Sequence, residues 1–145
     1  MSEEAALGRP EEKLVLIIDD DDSVRELLEF VVKKEGFKVE SAADGEEGLN
    51  KIQKLLPSLV ILDLMLPRYG GFEVLRQLQT GETGNIPIVI ITGRYTDRTT
   101  AEMIRQESNV HDFLEKPIKP QVLGMSLHKI LKTIPPGPGA RQVGK

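Results

Sequence analysis

The chain has 145 residues, a length that suits one domain with a single hydrophobic core. Its net charge of −4 argues against a free-standing nucleic-acid binder, which needs a basic face, and the absence of cysteine excludes disulfides and thiolate metal sites. No apolar run approaches the roughly 20 residues of a membrane span, and the acidic N-terminus lacks the features of a signal peptide. We therefore expect a cytoplasmic protein that contacts neither membrane nor nucleic acid directly.

The two ends of the chain differ in composition from its middle. Residues 1–12 are acidic and lack hydrophobic periodicity, which predicts a flexible leader. Residues 134–145 are rich in proline and glycine and cannot propagate a helix, which predicts a tail or the start of a linker. One domain is therefore expected over residues 13–133.

Five short segments between these ends have the character of strands. Three of them are continuous aliphatic runs, which are typical of parallel strands buried on both faces, and two are shorter and more polar. The predicted strands, in chain order, are Leu14–Ile18, Phe37–Ser41, Leu59–Leu62, Ile88–Ile91 and Asp112–Leu114.

Segments with helical periodicity follow each predicted strand. The first carries an apolar stripe between Val24 and Val31, and Ser23 with Glu26 is a candidate capping box at its start. The other helices are expected after Asp44–Gly45, over Phe72–Gln79, around Thr96–Glu107, and over Leu123–Leu131. Because strands and helices alternate strictly, we predict an α/β fold: a five-stranded, doubly wound parallel sheet with helices on both faces.

Polar side chains stand at the ends of four of these strands. Asp19 and Asp20 follow the first strand, Asp63 the third, Thr92 the fourth and Lys116 the fifth. Sites in this architecture lie beyond the carboxyl ends of the strands, so these side chains are expected at one rim. Clustered carboxylates repel each other unless a cation intervenes, and Mg²⁺ favours oxygen ligands. A carboxylate, Mg²⁺, a hydroxyl and a lysine together are what phosphoryl transfer needs.

Each of these residues has a simpler interpretation when it is taken alone. An aspartate run before a helix is favoured by the helix dipole, Thr92 can bond the backbone, and Lys116 can be an ordinary surface side chain. Asp63 is less easily explained in this way, because it ends an apolar strand and no capping pattern follows it at once. The combination of four strand ends favours a phosphoryl-transfer site.

The chain resembles the response-regulator receiver family of bacterial two-component systems over roughly Lys13 to Lys132. The resemblance implies the flavodoxin-like receiver fold. It is carried by five segments, namely Leu-Val-Leu-Ile-Ile-Asp-Asp at 14–20, Leu-Val-Ile-Leu-Asp-Leu-Met-Leu-Pro at 59–67, Gly-Gly-Phe-Glu-Val-Leu at 70–75, Ile-Pro-Ile-Val-Ile-Ile-Thr-Gly at 86–93 and Asp-Phe-Leu-Glu-Lys-Pro at 112–117.

The resemblance implies a role for each residue at the rim. Asp63 would accept a phosphoryl group from a sensor histidine kinase or a phosphotransfer protein. Asp20 and Asp63 would ligate Mg²⁺ or Mn²⁺ directly together with the backbone carbonyl of Met65, and Asp19 would help through water. Lys116 would bind the phosphoryl oxygens. The protein would then be a signalling switch and not an enzyme.

The resemblance also implies how the signal leaves the site. Thr92 would move to hydrogen-bond the phosphoryl group, and Phe113 would turn inward as it does so. This repacks the face formed by the fourth helix, the fifth strand and the fifth helix, where a downstream effector would bind or a phosphorylation-dependent homodimer would form. The Lys116–Pro117 peptide is expected to be cis, which an X–Pro bond tolerates.

Two residue pairs depart from the usual family pattern. Asn109–Val110 stands where Gly-Ala is usual, and Asn109 is expected to end the fourth helix in the left-handed conformation. Gly70–Gly71 stands where Asp-Gly or Asn-Gly is common, and it keeps the turn.

Other polar residues are not assigned a functional role. Asp22 is expected to cap the first helix, and both histidines are expected at the surface. The residues in question are Asp21, Asp22, Arg68, Tyr69, His111 and His128.

Met65 and Arg94 bear on the lifetime of the phosphorylated state. Both are expected to flank the path of the water that attacks the phosphoryl group, two residues beyond Asp63 and Thr92. Neither side chain can hold or deprotonate this water well. Slow autodephosphorylation is therefore predicted.

Two alternatives to a working receiver share part of this residue pattern. A haloacid-dehalogenase-type phosphatase would use Asp19 and Asp21 as its Asp-x-Asp pair, but it needs a further acidic pair downstream of the lysine, and nothing acidic follows Glu115. A degenerate receiver would serve only as a binding platform, but the acid pair, the acceptor, the threonine and the lysine are all intact. Trapping the phosphoryl group distinguishes a receiver from the phosphatase, since a phosphoryl group on Asp63 indicates a receiver and one on Asp19 indicates a phosphatase.

Overall fold

A computed structural model describes residues 7–66, 70–93 and 98–137. It contains one sheet with the strand order β2-β1-β3-β4-β5, in which every neighbouring pair is parallel. The strands are β1 (Leu14–Ile18), β2 (Lys38–Ala42), β3 (Leu59–Asp63), β4 (Ile88–Thr92) and β5 (Val110–Glu115). The predicted five-stranded parallel sheet is confirmed, and the predicted strand bounds differ from the observed ones by at most two residues.

Five α-helices connect and follow the strands. They are α1 (Asp22–Lys34), α2 (Gly45–Leu55), α3 (Gly71–Gln77), α4 (Arg98–Arg105) and α5 (Pro120–Leu131), with short 3-10 turns at Pro10–Glu12 and Gly81–Asn85. The fourth helix is described only from Arg98, because residues 94–97 lie outside the described part of the chain. In the described segments, no helix combines the length and the apolar character needed to cross a bilayer.

The sheet is covered on both faces, as its aliphatic strands require. One buried cluster joins alternate residues of β1, β3 and β4 to Ile52 of α2, Val74 of α3 and Ile104 of α4. The opposite cluster joins the remaining strand residues to Leu28 of α1 and Leu127 of α5. Because successive strand side chains point to opposite faces, the continuous aliphatic runs supply both clusters. The doubly wound arrangement is therefore confirmed.

The start of α1 differs from the prediction. The N-cap is Asp21, whose carboxylate accepts a hydrogen bond from the N–H of Val24 at 3.1 Å, so the capping box of Ser23 with Glu26 is wrong. Asp22 is the first helical residue and not the cap. Aspartate and serine are comparably good caps, so the backbone geometry at the end of β1 decides which one serves.

The connection from α4 to β5 also departs from the prediction. Asn109 is not in the left-handed conformation, since among the described non-glycine residues only Leu56 and Lys132 have positive φ. Its side chain is buried, with Nδ2 at 3.5 Å from the carbonyl oxygen of Leu78. The next residues form a bulge, because Ile88 pairs with Val110 whereas Val89 pairs with Asp112. The surface position predicted for His111, the residue passed over by the bulge, is confirmed.

The predicted surface position of His128 is wrong. Its side chain is only 7% exposed and bridges two other elements. Nε2 lies 2.9 Å from Glu35 Oε1, Nδ1 lies 2.7 Å from Thr133 Oγ1, and the ring packs on Phe37 with centroids 4.9 Å apart. His128 follows Leu127 on the buried side of α5, and its ring nitrogens are satisfied there by Thr133 just beyond the helix and by Glu35, which is distant in sequence.

Segments at the two ends of the chain meet beside this network. Gly8 donates a hydrogen bond to the carbonyl of Lys132 at 2.8 Å and accepts one from Ile134 at 3.0 Å, while Pro10 is buried. Part of the predicted leader therefore lies against the domain. The boundaries at residues 12 and 133 stay predictions.

Replacing His128 is expected to lower the stability of the fold. His128→Leu removes a partner from the buried Glu35 carboxylate, and the loss should be about 3 kcal/mol in the free energy of unfolding. Urea denaturation followed by circular dichroism measures it. Glu35→Gln is the matched control, because glutamine keeps an acceptor for the imidazole and should cost less. A His128→Leu protein as stable as the wild type would contradict a stabilising role for the network.

Candidate functional site at the carboxyl ends of the strands

The structure brings the polar residues of the strand ends together. Asp19 follows β1, Asp63 is the last residue of β3, Thr92 is the last residue of β4, and Lys116 directly follows β5. The side chains of Asp19, Asp63 and Thr92 are buried, whereas Asp20 is exposed. The rim predicted from the carboxyl ends of the strands is therefore present, and it combines three buried polar side chains with one exposed acid.

Lys116 is the charge partner of both buried carboxylates. Its Nζ lies 3.2 Å from Asp63 Oδ2, to which it donates a hydrogen bond, and 3.0 Å from Asp19 Oδ2. Burial by itself lowers the pKa of Lys116, but the two carboxylates outweigh it and raise the pKa above its usual value. The ammonium group therefore stays charged throughout the physiological range.

Two backbone N–H groups fix the other oxygens of these carboxylates. The N–H of Asp21 donates to Asp19 Oδ1 at 2.9 Å, and the N–H of Met65 donates to Asp63 Oδ1 at 3.0 Å. Asp19 Oδ2 is fully buried and has a charge partner in Lys116, but it accepts no directed hydrogen bond from the described residues. Burial raises the pKa of the Asp19 carboxyl above its usual value, although the Asp21 N–H and Lys116 act against this shift.

The three carboxylates form a group that could hold a cation. One oxygen from each of Asp19, Asp20 and Asp63 lies within 4.8 Å of the others. The donor set is oxygen only, one buried oxygen lacks a hydrogen bond, and Asp20 is open to solvent. These features fit a hard divalent cation such as Mg²⁺, which keeps several waters and takes one or two carboxylates.

Thr92 and Phe113 belong to the paired strands β4 and β5. The carbonyl of Thr92 accepts a hydrogen bond from the N–H of Lys116 at 2.8 Å, which ties the ends of β4 and β5 together. Phe113 is half-buried and pairs with Ile90 across the two strands. It packs against the hydrophobic cluster that includes Ile104 of α4. The guanidinium of Arg105 lies 5.0 Å from the centroid of its ring.

Sequence reasoning missed two arginines at this site. Arg105 stacks on Phe113, and Arg25 donates a hydrogen bond at 2.8 Å to the backbone carbonyl of Asp19. Arg25 lies one helical turn after the aspartate run, and helical side chains lean towards the N-terminus, so this contact could have been foreseen. No spacing rule links Arg105 to Phe113, which belong to different elements.

Some predicted features stand apart from the cluster. The Lys116–Pro117 peptide is cis, as predicted. Met65 belongs to the loop after β3 with its side chain 62% exposed, and the role of its carbonyl stays a prediction. Arg68, Tyr69 and Arg94 lie outside the described residues.

A protein-family model with the description "response regulator receiver domain" matches residues 15–128. The chain belongs to this family. The match begins at the second residue of β1, covers β2 to β5 in full and ends within α5. The acidic cluster and Lys116 lie within the matched segment.

Named relatives and solved structures agree with this assignment. The chain is 36% identical over 118 residues to the transcriptional regulatory protein AfsQ1 of Streptomyces coelicolor, a match that covers 81% of this chain and 51% of AfsQ1. It is 39% identical over 109 residues to the DNA-binding response regulator MtrA of Mycolicibacterium smegmatis, covering 75% of this chain and 46% of MtrA. A response regulator receiver protein from Pseudomonas putida superposes with a TM-score of 0.75 at 28% identity, covering 84% of this chain and 98% of the other.

These comparisons bear on the alternatives and on the partners. They identify a receiver domain of two-component response regulators, which are signalling proteins, and favour neither the phosphatase nor the degenerate platform. The receiver spans about half the length of the curated relatives it matches, and MtrA is named as DNA-binding. The expected absence of direct nucleic-acid contact therefore stays a prediction for this segment only.

Proposed function

We propose that Asp63 accepts a phosphoryl group from a sensor histidine kinase or a phosphotransfer protein in the cytoplasm, with a divalent cation bound beside it. The observation that carries this proposal is the environment of Asp63. It is a buried carboxylate at the end of a strand, with one oxygen on the Met65 N–H and the other facing Lys116, next to two further carboxylates. The site thus brings together a nucleophilic carboxylate, the ammonium group of Lys116 and a set of oxygen ligands for a metal ion.

The transfer itself is a displacement at phosphorus. A carboxylate oxygen of Asp63 attacks, the phosphorus–nitrogen bond of the donor phosphohistidine breaks, and its electron pair returns to the imidazole, which takes up a proton. Asp20, Asp63 and the Met65 carbonyl would hold Mg²⁺ or Mn²⁺ directly, Asp19 would help through water, and the cation would supply positive charge for the phosphoryl oxygens. Lys116 then pairs with a phosphoryl oxygen in place of the carboxylate oxygen.

The same pocket can report its state to a distant surface. A phosphoryl group adds a strong acceptor next to Thr92, whose hydroxyl can donate to it. Movement of Thr92 would free space beside Ile90. Phe113 pairs with Ile90 on the neighbouring strand and could turn into that space. The α4–β5–α5 face would then change shape, which suits an effector or a second phosphorylated copy as the partner.

The proposed acceptor is tested by labelling with acetyl phosphate in the presence of Mg²⁺. We expect one phosphoryl group per chain, and mapping of the acyl phosphate to Asp63 by borohydride reduction and mass spectrometry. Chelation of the cation should abolish the labelling. A phosphoryl group mapped to Asp19 would overturn the proposal in favour of a phosphatase-type mechanism.

Removal of Asp20 tests the metal site. Asp20→Asn is expected to weaken Mn²⁺ binding by roughly tenfold or more, on the scale of other changes around metal ligands. The apo protein should be no less stable, because one of three neighbouring negative charges is removed. Electron paramagnetic resonance of free Mn²⁺ and urea denaturation measure the two effects. A clear loss of apo stability would contradict the picture of repelling carboxylates.

The phosphorylated state is expected to persist. Met65, with its exposed side chain, and Arg94 offer no group that can deprotonate an attacking water. The double change Met65→Asn with Arg94→Glu should accelerate hydrolysis, measured as the decay of isolated phosphoprotein in Mg²⁺. Loss within seconds from the wild type, or an unchanged rate in the double variant, would contradict this expectation.

A further inference from the structure

The loop between β1 and α1 carries two of the three carboxylates of the cluster, and one side chain of α1 reaches back to it. Arg25 Nη1 donates a hydrogen bond to the backbone carbonyl of Asp19 at 2.8 Å, and Nη2 contacts the Asp22 carboxylate. The Arg25 side chain is 19% exposed and that of Asp22 is 84% exposed. The bond to the carbonyl is thus shielded, whereas the ion pair is open to solvent.

We propose that Arg25 is a positioning residue for the cation site: it holds the peptide between Asp19 and Asp20 in the orientation that directs the Asp20 carboxylate towards Asp19 and Asp63. The proposal rests on the proposed function of the acidic cluster, and it names a residue that touches neither the cation nor the phosphoryl group.

The geometry of the loop supports this role. Asp19 is held at its N–H by the carbonyl of Ala42 and at its Oδ1 by the N–H of Asp21. Neither contact sets the direction of the Asp19 carbonyl. Because the peptide group is planar, the bond from Arg25 to that carbonyl also sets the direction in which the backbone of Asp20 leaves. Asp20 is exposed, so side-chain packing among the described residues does little to orient it.

The charge of Arg25 would act in the opposite direction. A guanidinium in the first turn of α1 is disfavoured by the helix dipole, and it repels a divalent cation bound nearby. If Arg25 only balanced the charge of the aspartate run, its removal would strengthen cation binding. If it positions the loop, its removal weakens cation binding. The two roles therefore predict changes of opposite sign.

The experiment measures Mn²⁺ affinity by electron paramagnetic resonance in the folded, unphosphorylated full chain, with urea denaturation confirming that each variant is folded. Arg25→Met, which keeps the apolar stem, is expected to bind Mn²⁺ roughly tenfold more weakly. Arg25→Lys, which can donate one bond to the carbonyl, should lie between the Met variant and the wild type. Asp22→Asn, which removes only the exposed ion pair, should stay within about twofold of the wild type.

Each outcome decides the matter. Arg25→Met protein that binds Mn²⁺ as tightly as the wild type, or more tightly, overturns the positioning role. If the Met variant does not fold, Arg25→Ala, which cannot donate to the carbonyl, takes its place: affinity equal to the wild type or higher overturns the role, and weaker affinity supports it. A wild type that binds no Mn²⁺ contradicts the proposed function itself, and so the two failures are distinguishable.

Discussion

Asp63→Asn is expected to reduce labelling by acetyl phosphate or by a phosphorylated kinase to background. The asparagine amide is not nucleophilic and cannot form the acyl phosphate, while its shape is nearly that of aspartate. Its oxygen can still accept the hydrogen bond from the Met65 N–H, so the loop after β3 should keep its conformation. Circular dichroism should therefore match that of the wild type, and autoradiography or mass spectrometry measures the labelling.

Asp44→Asn is the matched control for this prediction. Asp44 is the N-cap of α2, and its side chain accepts a hydrogen bond from the backbone N–H of Glu47 at 2.8 Å. Asparagine fills this capping role equally well. The control should be labelled like the wild type. Wild-type labelling of the Asp63→Asn protein would refute the assignment of the acceptor.

Gly71→Ala is expected to have the largest effect on the fold around the acceptor. A Cβ atom at Gly71 would lie 2.5 Å from Leu64 Cα and nearer still to the carbonyl oxygen of Asp63. Both are backbone atoms that cannot swing aside, so the start of α3 must separate from the end of β3 and the loop that follows it. We expect a loss of about 3 kcal/mol in the free energy of unfolding, the upper range for overpacking, together with impaired phosphorylation.

Gly70→Ala provides the contrast one residue earlier. Gly70 has φ −70° and ψ 166°, which alanine adopts freely, and among the described residues its Cβ would meet only the carbonyl oxygen of Leu66 at 3.6 Å. The free energy of unfolding of the Gly70→Ala protein should stay within about 1 kcal/mol of the wild type. Alanine lowers the conformational entropy of the unfolded chain, which stabilises the fold, but it is a weaker N-cap than glycine. Urea denaturation compares the two variants. Equal losses at both positions would contradict the steric account of Gly71.

Much of the architecture follows from local patterns along the chain. The aliphatic runs at Leu14–Ile18, Leu59–Leu62 and Ile88–Ile91 predict strands buried on both faces, and the helices between them demand crossovers of one hand. These constraints suffice to place the residue after each strand at the same rim. Asp63 and Lys116 could therefore be placed in one site although they lie far apart in the sequence.

The details of element ends could not be obtained in this way. Asp21, Asp22 and Ser23 are all acceptable N-caps, and the sequence cannot rank them. The choice of Asp21 depends on where the backbone leaves β1. Asn109 likewise has the residue type for a left-handed helix end, but the bulge that follows it uses a different backbone conformation.

Contacts between side chains of different elements were decided by the tertiary structure alone. His128 meets Glu35 across 93 positions of sequence, and Arg105 meets Phe113 from a neighbouring helix. Periodicity reports which face of an element is buried, but it carries no information on which polar partners another element will present there. The sequence by itself thus determined the parallel sheet, the helices that cover it and the residues at its rim, because these depend on local patterns and chain connectivity, whereas the strand order came from the structure. The tertiary structure decided which side chains of different elements contact each other, because such contacts depend on how the packed elements meet in space.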